Sequence, residues 1–487
     1  MLYTILLFLG IFLAFRYVKV LRLNTLNSWV MPAAYLLKVI IGFYFLYVYT
    51  VIYGKGSLSA DAGAFMSESK ILNDVFFASP VDYFKLLTGI GHQEPLVADY
   101  LQETSHWDSG AQAIISDNRN IMRVHSVIHF FSFNDPAIHV LLMCFFSLLG
   151  IKQLFLGLKE RSRIKDIYLF FLLLLFPSVL FWTSGILKEP LMILGLGLFV
   201  RGILSNDTRR KKWFYALLGC LLLLAFKPYV LFCILPALVF YGLYTLIPRY
   251  KTITAFSIFL FIGTSATFFF SEQRQKVVHL LSRKQYDFKN VGKGGLHAES
   301  DSCFYFFKPD QISELVIEGD SVSIDKEMNA LVLMHGAIDE PKSIKLKPTG
   351  EKWFIYFRND RSDGFIPTTM IDDSFGQLIL NIPEALLNSL LRPHIFDPGS
   401  WLKYPAMLEI LLLYGFLIYA FFHRRTLNVE EKGLIWSIVI FIVSLSLIIG
   451  WVTPVLGAIV RYRIPSFIGI LILALLIIQP KKTINHE

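Results

Sequence analysis

The sequence predicts an all-α polytopic membrane protein with about 11 transmembrane helices, N-terminus out and C-terminus in, and an inserted extracytoplasmic β-rich domain. Three observations predict it. Of 487 residues, 55% are hydrophobic and only 17% are charged, with a mean hydropathy of +0.55. Soluble chains carry about a quarter charged residues, so composition excludes a water-soluble globular enzyme and a disordered chain. Apolar runs near the length that crosses a bilayer recur along the chain. Lysine and arginine gather in alternate connections between those runs.

The runs span 2–15, 31–53, 136–156, 166–183, 189–205, 213–226, 229–247, 252–270, 402–422, 433–452 and 456–479. Arg16, Lys19 and Arg22 follow the first run and none precedes it, which reads as an uncleaved helix rather than a signal peptide. Alternation from there places Lys159, Arg161, Arg163, Lys165, Arg209, Arg210, Lys211, Lys212, Arg249, Lys251, Arg424, Arg425, Lys432, Lys481 and Lys482 inside. The short outer connections hold Lys188, Lys227, Arg461 and Arg463. The net charge of +9 is therefore mostly topological, and a nucleic-acid partner is not implied.

This divides the chain into two N-terminal helices (1–53), a first outer loop (54–135), a six-helix core (136–270), an outer soluble domain (271–400), and three C-terminal helices with a short tail (401–487). Within the first loop two stretches have helical periodicity. Ala64, Ile71, Leu72, Val75 and Phe76 share one face, and Ile121, Val124, Ile128 and Phe131 share another. Both are expected to lie along the bilayer surface. In the second loop, alternating segments such as ELVIEGDSVSID and KWFIYF predict strands at about 300–380, with VGKGGLH (291–297) as a loop and PEALLNSLLR as a helix. The four cysteines, Cys144, Cys220, Cys233 and Cys303, offer no disulfide framework.

Charges at the outer helix ends mark candidate chemistry, because ionisable groups near a span are costly. Lys188 and Glu189 share a tight turn, either as a local ion pair or with Lys188 binding an anionic head group. Lys227 interrupts an apolar run and either snorkels to the surface or joins that site. Arg461 and Arg463 oppose the positive-inside trend and suit bidentate phosphate contacts. Glu409 inside the ninth span needs a partner, and an outer arginine is expected. Asp61 and Glu68 sit seven residues apart on one helical face and are candidate acid/base groups. Asp61 also suits an N-cap for a helix beginning at Ala62. Lys38 reads as a snorkeller from the inner side. His125 and His129, at i and i+4, permit a shared metal, but a surface helix is the expected reading. No phosphate-cradling loop, dinucleotide fingerprint or nucleophile elbow is present.

These residues resemble a known group. Asp61 in SADAGAF at the start of a long outer loop, Arg461-Tyr462-Arg463-Ile464-Pro465 on the last helix, the turn PSVLFWTSGILKEP, and the stretch 392–413 with Arg392 and Glu409 are together similar to GT-C glycosyltransferases. The resemblance spans most of the membrane part and not the β-rich insert. It implies a bacterial inner-membrane transferase acting outward on a polyprenyl-phosphate-linked sugar donor and a glycan or lipid acceptor. Asp61, with Glu68, would be catalytic. Arg461, Arg463, Lys188 and Lys227 would hold the lipid phosphate, with Glu189, Glu409 and Arg392 supporting. The first loop carries a single acid where many GT-C loops carry a pair, so no cofactor is fixed by the resemblance and use of a divalent metal stays open. O-antigen polymerases, which act on polyprenyl-diphosphate-linked glycans, are similar in the same features. A transporter or flippase is the expectation from another class, though such proteins place ionisable groups near mid-membrane.

Overall fold

Six helices among the described residues are long and apolar enough to cross a membrane: Val30–Ile52, Pro136–Leu158, Pro228–Leu246, Thr252–Phe269, Lys403–Phe422 and Val429–Val452. The bent pair Leu456–Tyr462 and Ile464–Ile477 makes a seventh if counted as one span. The computed structural model describes residues 2–90, 94–101, 104, 107, 116–247, 251–334, 342–359 and 361–479. Arg249, Lys481 and Lys482, counted above as inner charges, lie outside the described residues.

The remaining expected spans are shorter or interrupted. Leu2–Tyr17 has 16 residues. At 1.5 Å per residue that is about 24 Å, less than the roughly 30 Å of a bilayer core. The run 166–183 is not one helix. It divides into Asp166–Leu174 and Pro177–Trp182, because Pro177 lacks an N–H and turns Phe176 out of helical geometry. Glu189–Leu204 has 16 residues, and Arg209–Phe226 opens on four basic residues.

The chain forms two compact units. The first comprises Met1–Thr252, Leu412–Ile442 and Ile464–Glu487. Its helices Pro136–Leu158 and Glu189–Leu204 approach backbone to backbone through glycine. A Cβ placed on Gly197 would fall 2.2 Å from the Gly150 carbonyl oxygen. Small residues at such crossings are the usual device for packing helices without a water-driven force. Helix Ile464–Ile477 is apolar and buried on all sides, as a central helix should be. It begins beside Pro465, which accounts for the break at Arg463.

The first outer loop folds into helices Ala60–Ala78, Pro80–Thr88, Glu94–Tyr100 and Asp117–Ser132. The last of these turns a largely polar face inward. It buries Arg119, Arg123, His125, Ser126, His129 and Ser132, and exposes Val127, Phe130 and Phe131. His129 meets Ser69 and the Ser126 carbonyl accepts from Asn73, both on Ala60–Ala78, while Ser132 meets His139 of Pro136–Leu158, so part of this polar burial is satisfied.

The second unit comprises Ile253–Leu411 and Val443–Arg463. Its strands are β1 Gly295–Glu299, β2 Cys303–Phe307, β3 Leu315–Glu318, β4 Ser321–Ile324, β5 Met328–Met334, β6 Lys342–Leu346 and β7 Trp353–Asn359. They form one antiparallel sheet in the order β3-β4-β7-β1-β2-β5-β6. Leu296 pairs with Phe307 and Val322 with Trp353, and these four lie in one apolar core. The sheet starts earlier than expected, inside the glycine-rich run read as a loop. Helix Ser271–Lys293 ends at Gly294 (φ +72°), and Gly295 (φ +146°) begins β1 where a Cβ would strike the Phe306 ring at 2.6 Å. Helix Ile382–Leu391 matches the expected PEALLNSLLR element.

Candidate functional site

Four segments of the first unit converge on Lys188. The chain leaves helix Pro177–Trp182, turns through Thr183–Leu187, and presents Lys188 at the N-cap of Glu189–Leu204. Lys188 Nζ donates to Asp117 Oδ2 at 2.6 Å and to Asn118 Oδ1. Asp117 opens its helix, whose N-cap Ser116 hydroxyl accepts the Arg119 N–H, so the carboxylate also faces the positive end of the helix. The Phe65 ring lies 5.6 Å from Lys188 Nζ.

The next residue forms a second pair. Glu189 Oε1 lies 2.9 Å from Lys227 Nζ, with both side chains almost wholly buried. Lys227 occupies the break between Arg209–Phe226 and Pro228–Leu246, where Asn120 donates to the Ala225 carbonyl at 2.9 Å and ties that end to the Asp117 helix. The expected local Lys188–Glu189 pair is therefore corrected: each residue takes a distant partner of opposite sign. Lys227 does not snorkel to the surface, since its side chain is 5% exposed.

Asp61 lies in the first turn of Ala60–Ala78, half-buried, and its charge acts on Lys188. It is not the N-cap. Ser59 holds that position and spends its hydroxyl on the Tyr49 carbonyl. Glu68, two turns on, is buried at 5% exposure. Burial pushes the Lys188 ammonium down to about 8, although Asp117 and Asp61 pull it up. Burial raises Asp117, but Lys188 and Lys227 more than offset it and hold the carboxyl below its ordinary value. The two partners respond differently because Lys188 is the more deeply buried.

Asp117 and Asn118 were not singled out from sequence, although they open the periodic stretch SDNRNIMRVHSVIHF. Further along that helix, Arg119 and Arg123 stand 5.3 Å and 5.4 Å from the Trp107 ring, both buried. They add positive charge to this part of the unit.

His125 and His129 are interior residues, which corrects the surface reading. His125 Nδ1 lies 2.8 Å from His139 Nδ1, and His129 Nε2 lies 3.0 Å from Ser69 Oγ. Burial, with His129 nearby, pushes His125 down to about 3, and burial likewise lowers His129. Among the described residues no group of three or more His, Cys, Asp or Glu is arranged to hold a metal ion.

The other four candidates belong to the second unit. Arg463 is fully buried, and its Nη1 donates to the Ser389 carbonyl at 3.3 Å and to the Arg392 carbonyl. It thereby holds the C-terminal end of Ile382–Leu391. Arg392 pairs with Asp397 at 2.8 Å, and Asp397 also accepts the His394 N–H. Arg461 is 8% exposed, and Glu409 is buried in Lys403–Phe422 at 1%. Asp61, Lys188, Glu189 and Lys227 are thus gathered in one unit, and Arg392, Glu409, Arg461 and Arg463 in the other.

No family model, curated protein or solved structure matches the chain.

Proposed function

We propose that the chain is an integral membrane glycosyltransferase that moves a sugar from a polyprenyl-phosphate-linked donor to a glycan or lipid acceptor. In this reading it sits in a bacterial cytoplasmic membrane with eleven spans, N-out and C-in, and works on the outer face. The observation that carries the reading is the convergence of Lys188, Lys227, Asp61, Asp117 and Glu189 at helix ends of one unit. Two buried ammonium groups beside two carboxylates and a half-buried acid supply what such a transfer needs. Lys188 and Lys227 hold the donor phosphate and stabilise its charge as the bond from the anomeric carbon to the phosphate oxygen breaks. Asp61 accepts the proton of the attacking acceptor hydroxyl. Asp117 and Glu189 keep the two ammonium groups in place before the donor arrives. The donor is already activated, so no nucleotide pocket is required. The resemblance to GT-C enzymes and to O-antigen polymerases supports the same class.

A strain lacking the protein should accumulate its lipid-linked donor, and the Lys188→Met variant should fail to clear it. A single sugar on that lipid supports the transferase, and a repeat-unit glycan supports a polymerase on polyprenyl diphosphate. Clearance by Lys188→Met at the wild-type rate would sink the site assignment.

A transporter is the second reading, favoured by Lys38 and His139, which are buried within apolar helices. Product formation in detergent micelles, where no second compartment exists, supports the transferase. Movement of labelled lipid across sealed vesicles without product supports the transporter.

A further inference from the structure

Lys38 lies on the apolar helix Val30–Tyr47 and is fully buried. It does not snorkel. Its Nζ donates to Thr183 Oγ1 at 3.0 Å. The same Thr183 oxygen lies 2.7 Å from Ser147 Oγ, and its hydroxyl donates to the Val179 carbonyl. The one proton of Thr183 is thus given to the backbone, and its lone pairs face Lys38 and Ser147. Among the described residues no carboxylate pairs with Lys38, and Thr183 is its side-chain acceptor.

The turn after Thr183 is clamped to this helix at further points. Cys144 Sγ lies 3.3 Å from the Lys38 carbonyl and 3.5 Å from that of Ser184. A Cβ on Gly42 would stand 2.8 Å from the Ser184 carbonyl, and one on Gly185 would stand 2.5 Å from the Phe45 ring. The chain then reaches Lys188 at the head of the next helix.

A buried amine in an apolar face is costly, and methionine would fill the space without that cost. Packing alone therefore gives no reason for lysine here. We infer that Lys38 is a positioning residue: by fixing Thr183 it sets the turn that aims Lys188 at the anionic donor. The inference rests on the reading of Lys188 as an anion-binding group.

The test uses full-length protein in lipid nanodiscs, with polyprenyl phosphate as the probe and thermal unfolding measured alongside. Lys38→Met and Thr183→Val should each weaken probe binding by about tenfold, the effect of one hydrogen bond to a charged group. The double variant should be no worse than either single one. Thr183→Ser, which keeps the hydroxyl, should bind as wild type. The melting temperature of Lys38→Met should hold or rise, since a buried charge is removed. Wild-type affinity in Lys38→Met, alongside weak binding in Lys188→Met, overturns the positioning role and leaves the anion site standing. Wild-type affinity in Lys188→Met overturns both. Loss of binding in Lys38→Met that Thr183→Val does not share also overturns the positioning role.

Discussion

Lys188 Nζ stands 2.6 Å from Asp117 Oδ2, and the pair joins the starting points of two helices, Glu189–Leu204 and Asp117–Ser132. Burial is the stronger influence on the lysine, which titrates at about 8 rather than 10.5. Anion capture needs the ammonium form, so donor binding should fall as pH rises through about 8. Stability should move the other way. Between about 8 and 10.5 the unfolded lysine holds a proton that the folded one has released, so stability rises with pH across that window. Asp117 contributes in the opposite range, its stabilisation being lost as pH falls through its depressed folded value. Melting temperatures of wild type and Lys188→Met from pH 7 to 10 check the first effect. An identical slope in both would refute the assignment.

Substitution at the same pair should separate binding from support. Lys188→Met should lower transfer by about 10²–10³-fold, the range for losing one electrostatic stabiliser of a developing anion. Asp117→Asn keeps the shape and the bond to Lys188 as a neutral acceptor. It should cost roughly tenfold in transfer, as the loss of one charge-assisted contact. Steady-state kinetics on lipid-linked donor give both values. A larger loss in Asp117→Asn than in Lys188→Met would move the base role from Asp61 to Asp117.

Much of the helical plan was legible because apolar length is written directly in composition. The runs 31–53, 136–156, 229–247 and 402–422 fall within a few residues of observed helices. Orientation was less legible. Periodicity finds a stripe on Asp117–Ser132 but does not say which medium the stripe meets, and the structure exposes Phe130 and Phe131 while burying His125 and His129. Lys188 and Glu189 could be recognised as costly residues, but their partners could not. Asp117 is 71 residues from Lys188, and nothing in local spacing encodes that pairing. Asp61 and Glu68 were read as sharing one helical face, and spacing alone does not encode that Asp61 is half-buried and Glu68 only 5% exposed.

The Glu189–Lys227 pair should behave as a buried unit. Its side chains are 1% and 5% exposed. Removing one charge leaves the other without its main partner in a low-dielectric site, at a cost of about 3–5 kcal/mol. Glu189→Gln and Lys227→Met should therefore each lower the melting temperature, and the double variant should recover most of the loss. The recovered double variant should still be inactive, because the phosphate has lost Lys227. Additive destabilisation in the double variant would show that the two residues do not act as a pair.

The helix crossing at Gly197 should tolerate no added methyl group. A Cβ there would meet the Gly150 carbonyl at 2.2 Å, a contact with backbone that cannot swing aside. Gly197→Ala should force the helices apart and cost about 1–3 kcal/mol, as overpacking does. Gly242→Ala is the control. Nothing lies within 4 Å of its added Cβ, so it should gain about 1 kcal/mol from helix propensity. Thermal unfolding in one detergent compares the two directly. Equal effects would mean that close approach is not what selects glycine at 197.

Arg463 should prove structural where sequence alone suggested a phosphate ligand. It is fully buried, and its Nη1 serves the Ser389 and Arg392 carbonyls at the end of helix Ile382–Leu391. Those carbonyls have left the helical ladder and need a donor. Arg463→Lys keeps the charge but sets its donors on a shorter stem, so one carbonyl should go unsatisfied at a cost of about 1–3 kcal/mol. The expected signature is faster backbone hydrogen exchange over residues 386–397, where Arg392 and Asp397 also pair. Normal protection of 386–397 in Arg463→Lys would refute the structural role.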